Sequence, residues 1–139
     1  MAVLAAADGA RVVAAWSAFP DKPHFNVIRG PETGLVMVRG RMGGGGQSFN
    51  LGEATVTRAT VRLDSGEIGH AYCLGRDGDK ALHAALFDAL WQRDATRDAV
   101  ESHVLAPLEA AARAADAARR AETAATRVDF FTMVRGEDQ

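Results

Sequence analysis

The sequence predicts an α+β fold: an antiparallel β-meander of four to five strands, flanked by N- and C-terminal helices, with an extended C-terminal arm. Residues 29–77 hold most of the glycines and β-branched residues, and turn signals separate their apolar runs. Both ends are rich in alanine, which favours helix. We therefore expect a single domain, with helix in 1–19, sheet in 24–75, helices in 79–126 and the arm in 127–139.

Composition restricts the class of protein. The chain has 139 residues, one ordinary domain, and its net charge of -2 gives no basic field for nucleic acid. No apolar run approaches the roughly 20 residues of a membrane-spanning helix, and the apolar N-terminus lacks the basic residues of a secretory signal. Cys73 is the only cysteine, which excludes an internal disulfide and a cysteine-based zinc cluster. We expect a cytoplasmic protein with no membrane or nucleic-acid partner.

The N-terminal segment 2–18 predicts a packing helix. Val12, Val13 and Trp16 have the spacing of one buried stripe. Pro20 follows, and proline ends a helix.

The predicted meander begins with two short strands. The first covers 24–29, and a tight turn at 31–34 sends the chain back along 35–42. The period of two in that second strand places Leu35 and Met37 on one face and Val36 and Val38 on the other, of which one face should be dry.

The remaining strands follow a glycine run. A short apolar piece at 49–51 precedes a long strand over 54–63, in which polar and apolar residues alternate. A hairpin turn at 64–66 leads to an almost continuously apolar strand over 68–74, which we expect to be the most buried.

The second half of the chain predicts helices. Asp77 or Asp79 would cap a helix over 79–93 that covers the sheet, and Thr96 would cap another that begins near Arg97. Ten of the sixteen residues from Ala110 to Ala125 are alanine, which predicts an exposed helix that gains order from another surface.

The C-terminal arm is apolar where termini are usually polar. Two adjacent phenylalanines there must pack against a partner protein or against the domain's own core. The partner-binding candidates are Phe130, Phe131, Met133 and Arg135.

Arginine is the basic residue that this sequence uses, with fourteen against two lysines. Arg41, Arg58 and Arg62 would share one face of neighbouring strands, where like charges need carboxylates or phosphate oxygens. Two interpretations stay open: surface pairing with an acidic residue, or contact with a polyphosphorylated ligand or an acidic partner. The acidic candidates are Glu32, Glu53, Glu67 and Asp64. Gly43 and Gly44, in the run 43–46, would form a hairpin loop or an anion-contacting loop.

No catalytic residue is predicted. The four histidines lack metal-ligand spacing, no serine lies in a G-x-S-x-G context, and Cys73 lies in a predicted buried strand. His70 and Tyr72, which share a strand face, are the candidate exceptions. No metal site or resident cofactor is expected.

Several ordered motifs together resemble the PhnG subunit family of the bacterial carbon-phosphorus lyase system. They cover nearly the whole chain and comprise VIR at 27–29, PETGLV at 31–36, RMGG at 41–44, ATVTRATVRL at 54–63, LGRD at 74–77 and RVDFFTMVRG at 127–136.

The resemblance implies a subunit that is not catalytic alone. Its partners would be the core subunits PhnI, PhnH and PhnJ, with which PhnK and PhnL would associate. In that system PhnI, helped by the other subunits, displaces adenine from ATP with an alkylphosphonate to give a ribose 1-phosphonate 5-triphosphate. ATP, with magnesium, would be the substrate of the complex. The alternative from the residues is a free-standing homo-oligomeric module that pairs through its sheet and arm.

Overall fold

The structure is a computed structural model that describes residues 1–42 and 45–126. The chain begins with α1 (Ala2–Ala6) and α2 (Gly9–Ala18), and continues through β1 (Phe25–Gly40), β2 (Phe49–Leu63) and β3 (Ile68–Leu74). It ends in α3 (Gly78–Trp91), α4 (Asp94–Val100), a π-helical segment (Glu101–Leu105) and α5 (Ala106–Ala125). The α+β prediction is confirmed.

The described residues form one antiparallel sheet of three strands in the order β1-β2-β3, so the prediction of four to five strands is wrong. The predicted turn at 31–34 lies inside β1, because an irregularity between Arg29 and Glu32 absorbs Gly30 and Pro31 without reversing the chain. Proline has no N–H for a ladder, and a bulge on an edge strand tolerates it. The piece at 49–51 joins the strand at 54–63 to form β2. The predicted arm lies outside the described residues.

The register makes the long strands β1 and β2 a hairpin that extends past β3. Pairing of β1 with β2 runs from Phe25 opposite Leu63 to Gly40 opposite Phe49. Pairing of β2 with β3 stops at Val56 opposite Leu74. The far half of the hairpin, residues 35–40 and 49–55, has no third strand beside it within the described residues.

The β3 bounds are as predicted, but β3 is not buried throughout. Buried residues alternate with exposed ones along Ile68–Leu74. The reason is that helices cover one face of the sheet only, so a continuous apolar run is half exposed.

Helix α3 covers that face and forms the centre of the core. Asp77 caps it, as predicted, by accepting a hydrogen bond from the Lys80 backbone N–H at 2.9 Å. Its buried face is mostly alanine with Leu86, Phe87 and Leu90, which are fully buried. Small side chains let the helix backbone lie close to the strands.

Gly69 of β3 is the point of closest approach. A Cβ at this position would lie 1.9 Å from the Ala85 carbonyl oxygen and 2.6 Å from the Ala89 nitrogen. Both neighbours are helix backbone, so neither can move aside as a flexible side chain would. Only glycine fits between β3 and α3.

The other helices complete the core. Trp16 and Phe19 of the α2 end pack against Phe87 with ring centroids 5.5 and 5.7 Å apart. Lys80 of α3 is buried, and its Nζ donates to the Ala5 carbonyl at 2.8 Å, which satisfies a backbone acceptor of α1.

The predicted start and the predicted cap of the first of the later helices are both corrected. The helix expected near Arg97 begins at Asp94, and Thr96 lies inside it with its hydroxyl donating to the Leu90 carbonyl. In α5, Leu108 is buried and most of the following residues are exposed, as predicted.

Replacing Gly69 by alanine should destabilise the fold. The added Cβ has no space, and overpacking a core costs about 1 to 3 kcal/mol. Chemical denaturation followed by tryptophan fluorescence would measure the free energy of unfolding. Gly34→Ala is the matched control, because a Cβ there meets nothing within 4 Å; it should change stability by less than about 0.5 kcal/mol. Equal effects at both positions would contradict the close approach.

His83 should lower the free energy of unfolding in mild acid. Its ring stacks on Trp16, its Nδ1 is buried without a hydrogen-bond partner among the described residues, and burial lowers its pKa, despite the opposing influence of Asp79 and Asp77. The neutral form therefore folds better. As pH falls through the ordinary histidine pKa near 6.5, the unfolded chain takes up the proton first, and stability is lost.

The measurement is the free energy of unfolding at pH 7.5 and 5.5, about one unit on either side of that pKa. His83→Gln cannot titrate and should lose less stability between the two. Glu67 also has a lowered pKa, because Ser65 donates a hydrogen bond to it, but its ordinary value of 4.5 lies below this window. The same loss in both proteins would refute the assignment to His83.

Candidate functional site

The sheet face opposite α3, here called the open face, carries polar side chains in cross-strand rows. From Arg58 onward its β2 residues alternate with the buried ones, whereas Val56 is buried, and each lies opposite a residue of β3. The pairs are Val56 with Leu74, Arg58 with Tyr72, Thr60 with His70, and Arg62 with Ile68. The period of two thus brings Arg58 and Arg62 onto one face, as the sequence predicted.

Arg58 is the centre of a row that crosses all three strands. Its Nε donates to Glu32 Oε1 of β1 at 2.5 Å, and its Nη1 donates to the Tyr72 hydroxyl of β3 at 3.2 Å. Glu32 also lies 3.5 Å from Arg29 Nε. These hydrogen bonds, the one to Tyr72 first and the one to Glu32 second, raise the pKa of Arg58. The guanidinium is a fixed cation.

The irregularity in β1 is what brings Glu32 opposite Arg58. Gly30 has a φ of 69°, and a Cβ on it would lie 2.6 Å from the Arg58 carbonyl oxygen. Side-chain-bearing residues rarely adopt that conformation and have no space here. A bulge re-aims the side chains that follow it, so Gly30 sets the direction of Glu32.

The next row lies towards the start of β3. The Thr60 hydroxyl and His70 Nδ1 are 3.2 Å apart. Arg62, one row further, is exposed and lies opposite Asn26 of β1 and Ile68 of β3. Residues 1–42 and 45–126 contain no ion pair of Arg62.

The Ile68–His70 part of the outer edge of β3 is closed by helix α3. Asp88 accepts a hydrogen bond from the His70 backbone N–H at 3.0 Å, and Gln92 donates to the Ile68 carbonyl at 2.8 Å. These two contacts use ladder groups that another strand would need. Sequence analysis missed this role of Asp88 and Gln92; the only signal was their spacing of one helical turn on α3.

A groove of about 270 Å³ lies beside the Arg58 row, lined by Arg58, Tyr72, Glu32, Val56 and residues 33–36 of β1. It offers one cation, one carboxylate, one phenol and the hydroxyl of Thr33, which is hydrogen-bonded with Thr57. Such a set can hold an anion by charge and hydrogen bonds. It contains no thiol or serine hydroxyl, and Glu32 is already engaged by arginine.

Arg41 does not join the other predicted arginines. It follows the end of β1, where Gly40 lies opposite Phe49, nine residues along β2 from Arg58. At the usual rise this is a separation of about 30 Å. Gly43 and Gly44 lie outside the described residues, as do Phe130, Phe131, Met133 and Arg135.

Other candidates have structural roles. Cys73 is buried, and burial raises the pKa of its thiol, so the reactive thiolate is disfavoured. Across the part of the chain that the structure describes, no cluster of His, Cys, Asp or Glu has the arrangement of a metal site. The helices in the same described part are all too short or too polar to cross a membrane.

The sequence of this chain matches a known protein family and a named relative. Residues 1–136 match the family model described as phosphonate metabolism protein PhnG. A protein of Rhizobium meliloti (strain 1021), named alpha-D-ribose 1-methylphosphonate 5-triphosphate synthase subunit PhnG, is 57% identical over 141 residues, covering 99% of this chain and 88% of the relative.

Proposed function

The chain belongs to the PhnG family of phosphonate metabolism proteins, and we propose that it acts as a subunit of alpha-D-ribose 1-methylphosphonate 5-triphosphate synthase in the carbon-phosphorus lyase system. The observation that carries this proposal is the 57% identity, over 99% of the chain, to a relative that bears that subunit name.

We propose that the chain contributes to the reaction of the complex and is not catalytic alone. Its partners would be the PhnI, PhnH and PhnJ subunits, with PhnK and PhnL, in the cytoplasm. PhnI would displace adenine from ATP with an alkylphosphonate, and ATP with magnesium would be substrate of the complex. The side chains on the open face support this division of work, since they offer fixed charge and hydrogen bonds without an activated nucleophile.

The proposal predicts that the chain is required by the complex and inactive alone. Adenine release from ATP and methylphosphonate should be measured with PhnI, PhnH, PhnJ and PhnL, with and without the chain. Omission should reduce release to background, and the isolated chain should release none. Full release without the chain would refute the proposal.

We further propose that the open-face arginines contact the triphosphate, with Arg62 the better candidate because Glu32 already occupies part of the Arg58 guanidinium. Arg62 and Arg58 are four residues apart on the same face, about 13 Å along β2. Arg41, with Gly43 and Gly44, would contact a partner or phosphate separately. The arm residues Phe130, Phe131, Met133 and Arg135 would anchor a partner subunit.

Removing the Arg62 charge should weaken ATP use by the assembled complex. A charge-assisted hydrogen bond contributes about 1.5 to 3 kcal/mol, so Arg62→Ala should raise KM for ATP about 10- to 150-fold. Arg113→Ala is the matched control, because Arg113 is an exposed arginine of α5 paired with Glu109 at 2.7 Å. An unchanged KM in an intact Arg62→Ala complex would eliminate the phosphate contact.

A further inference from the structure

The far half of the β1–β2 hairpin, residues 35–40 and 49–55, forms what we call the ribbon. Only β1 and β2 pair there, since β3 ends at Leu74 opposite Val56. The β2 half of the ribbon contains seven residues and is roughly 24 Å long. A two-stranded hairpin alone is marginally stable in water.

Both faces of the ribbon expose large apolar side chains. Leu35 and Met37, which continue the face covered elsewhere by α3, are 62% and 52% exposed. Val38 on the other face is 40% exposed, although the alternation predicted one dry face. Leu51, at the irregularity of β2, is 61% exposed. Contiguous apolar exposure of this kind marks an interaction surface.

The two-sided exposure restricts how a partner can bind. A strand added to the outer edge of β1 would use backbone groups and leave both faces in water. A cleft that encloses the ribbon would cover Leu35 and Met37 on one wall and Val38 on the other. The ribbon therefore fits an apolar cleft.

The charge of the ribbon argues against a second copy of this chain packed in the same direction. Arg39 lies near the ribbon's end, held by a 3.2 Å hydrogen bond to Ser48, and Arg41 follows it, while Glu53 is the one acidic residue of the ribbon. Two ribbons packed face to face in the same direction would bring their arginines together, which is repulsive. A partner with carboxylates at the inner end of its cleft is complementary.

We propose that the ribbon inserts into an apolar cleft, lined at its inner end by Asp or Glu, on a different subunit of the same complex. This inference rests on the proposed function, because it needs a partner subunit. It assigns assembly to residues 35–40 and 49–55, which are not members of the Arg58 row or of the arm.

The test is capture of the full chain by tagged PhnI, co-expressed with PhnH and PhnJ. Leu35→Ser combined with Met37→Ser should weaken capture at least about 30-fold, as expected for removal of a central apolar contact. Arg39→Glu should also weaken it, more at low salt than at high salt. Ile68→Ser is the matched control, because Ile68 is a 41% exposed apolar residue at the other end of the sheet; it should be captured like the parent.

Hydrogen exchange keeps the test independent of variant folding. In the parent complex, backbone amides of residues 35–40 should become protected relative to the isolated chain. Normal capture of the double variant, or no protection of these amides, would overturn the inference while leaving the proposed function intact. The inference would also be overturned if the double variant no longer self-associated but was still captured. The partner that covers the ribbon would then be a second copy of this chain. Failure to capture the parent itself would instead refute the proposed function.

Discussion

The contact between Gly69 and the backbone of α3 is the constraint on which the rest of the structure depends. With the Ala85 carbonyl and the Ala89 nitrogen so close to Gly69, the helix lies directly on β3. That position brings Asp88 and Gln92 within hydrogen-bond distance of β3 backbone groups, and Leu86, Phe87 and Leu90 of the same helix are fully buried in the core. One close approach therefore determines which face is covered, which edge is closed and where the core ends.

Because the helices cover only one face of the sheet, the opposite face can carry polar side chains. Arg58, Glu32 and Tyr72 connect three strands there, and the connection depends on Gly30, whose conformation brings Glu32 into the row. Exposed ion pairs contribute little to stability, so stability alone is a weak explanation for such a row. An ordered cation on an exposed face is suited to recognition of an anion or of an acidic surface.

Sequence reasoning was successful where local chemistry determines structure. The bounds of β3, the cap at Asp77 and the alternation that places Arg58 and Arg62 together all follow from turn residues, capping residues and the period of two. It failed at Gly30-Pro31, which is a turn signal in isolation and becomes an irregularity within β1 because β2 pairs on both sides of it. It also placed Arg41 with Arg58, since face alternation gives no distance along a strand.

The exposure of the ribbon side chains could not be predicted from the local sequence, for a related reason. Whether Leu35 or Val38 is dry depends on where β3 and α3 end, which is a property of the tertiary register and not of the hairpin's own sequence. The same register gives the molecule two parts: a packed body that carries fixed charge, and a ribbon with apolar residues on both faces. The body can fold around its own core, whereas the ribbon has two apolar faces and no core of its own. Such a division suits the contributory role proposed for this chain within a complex.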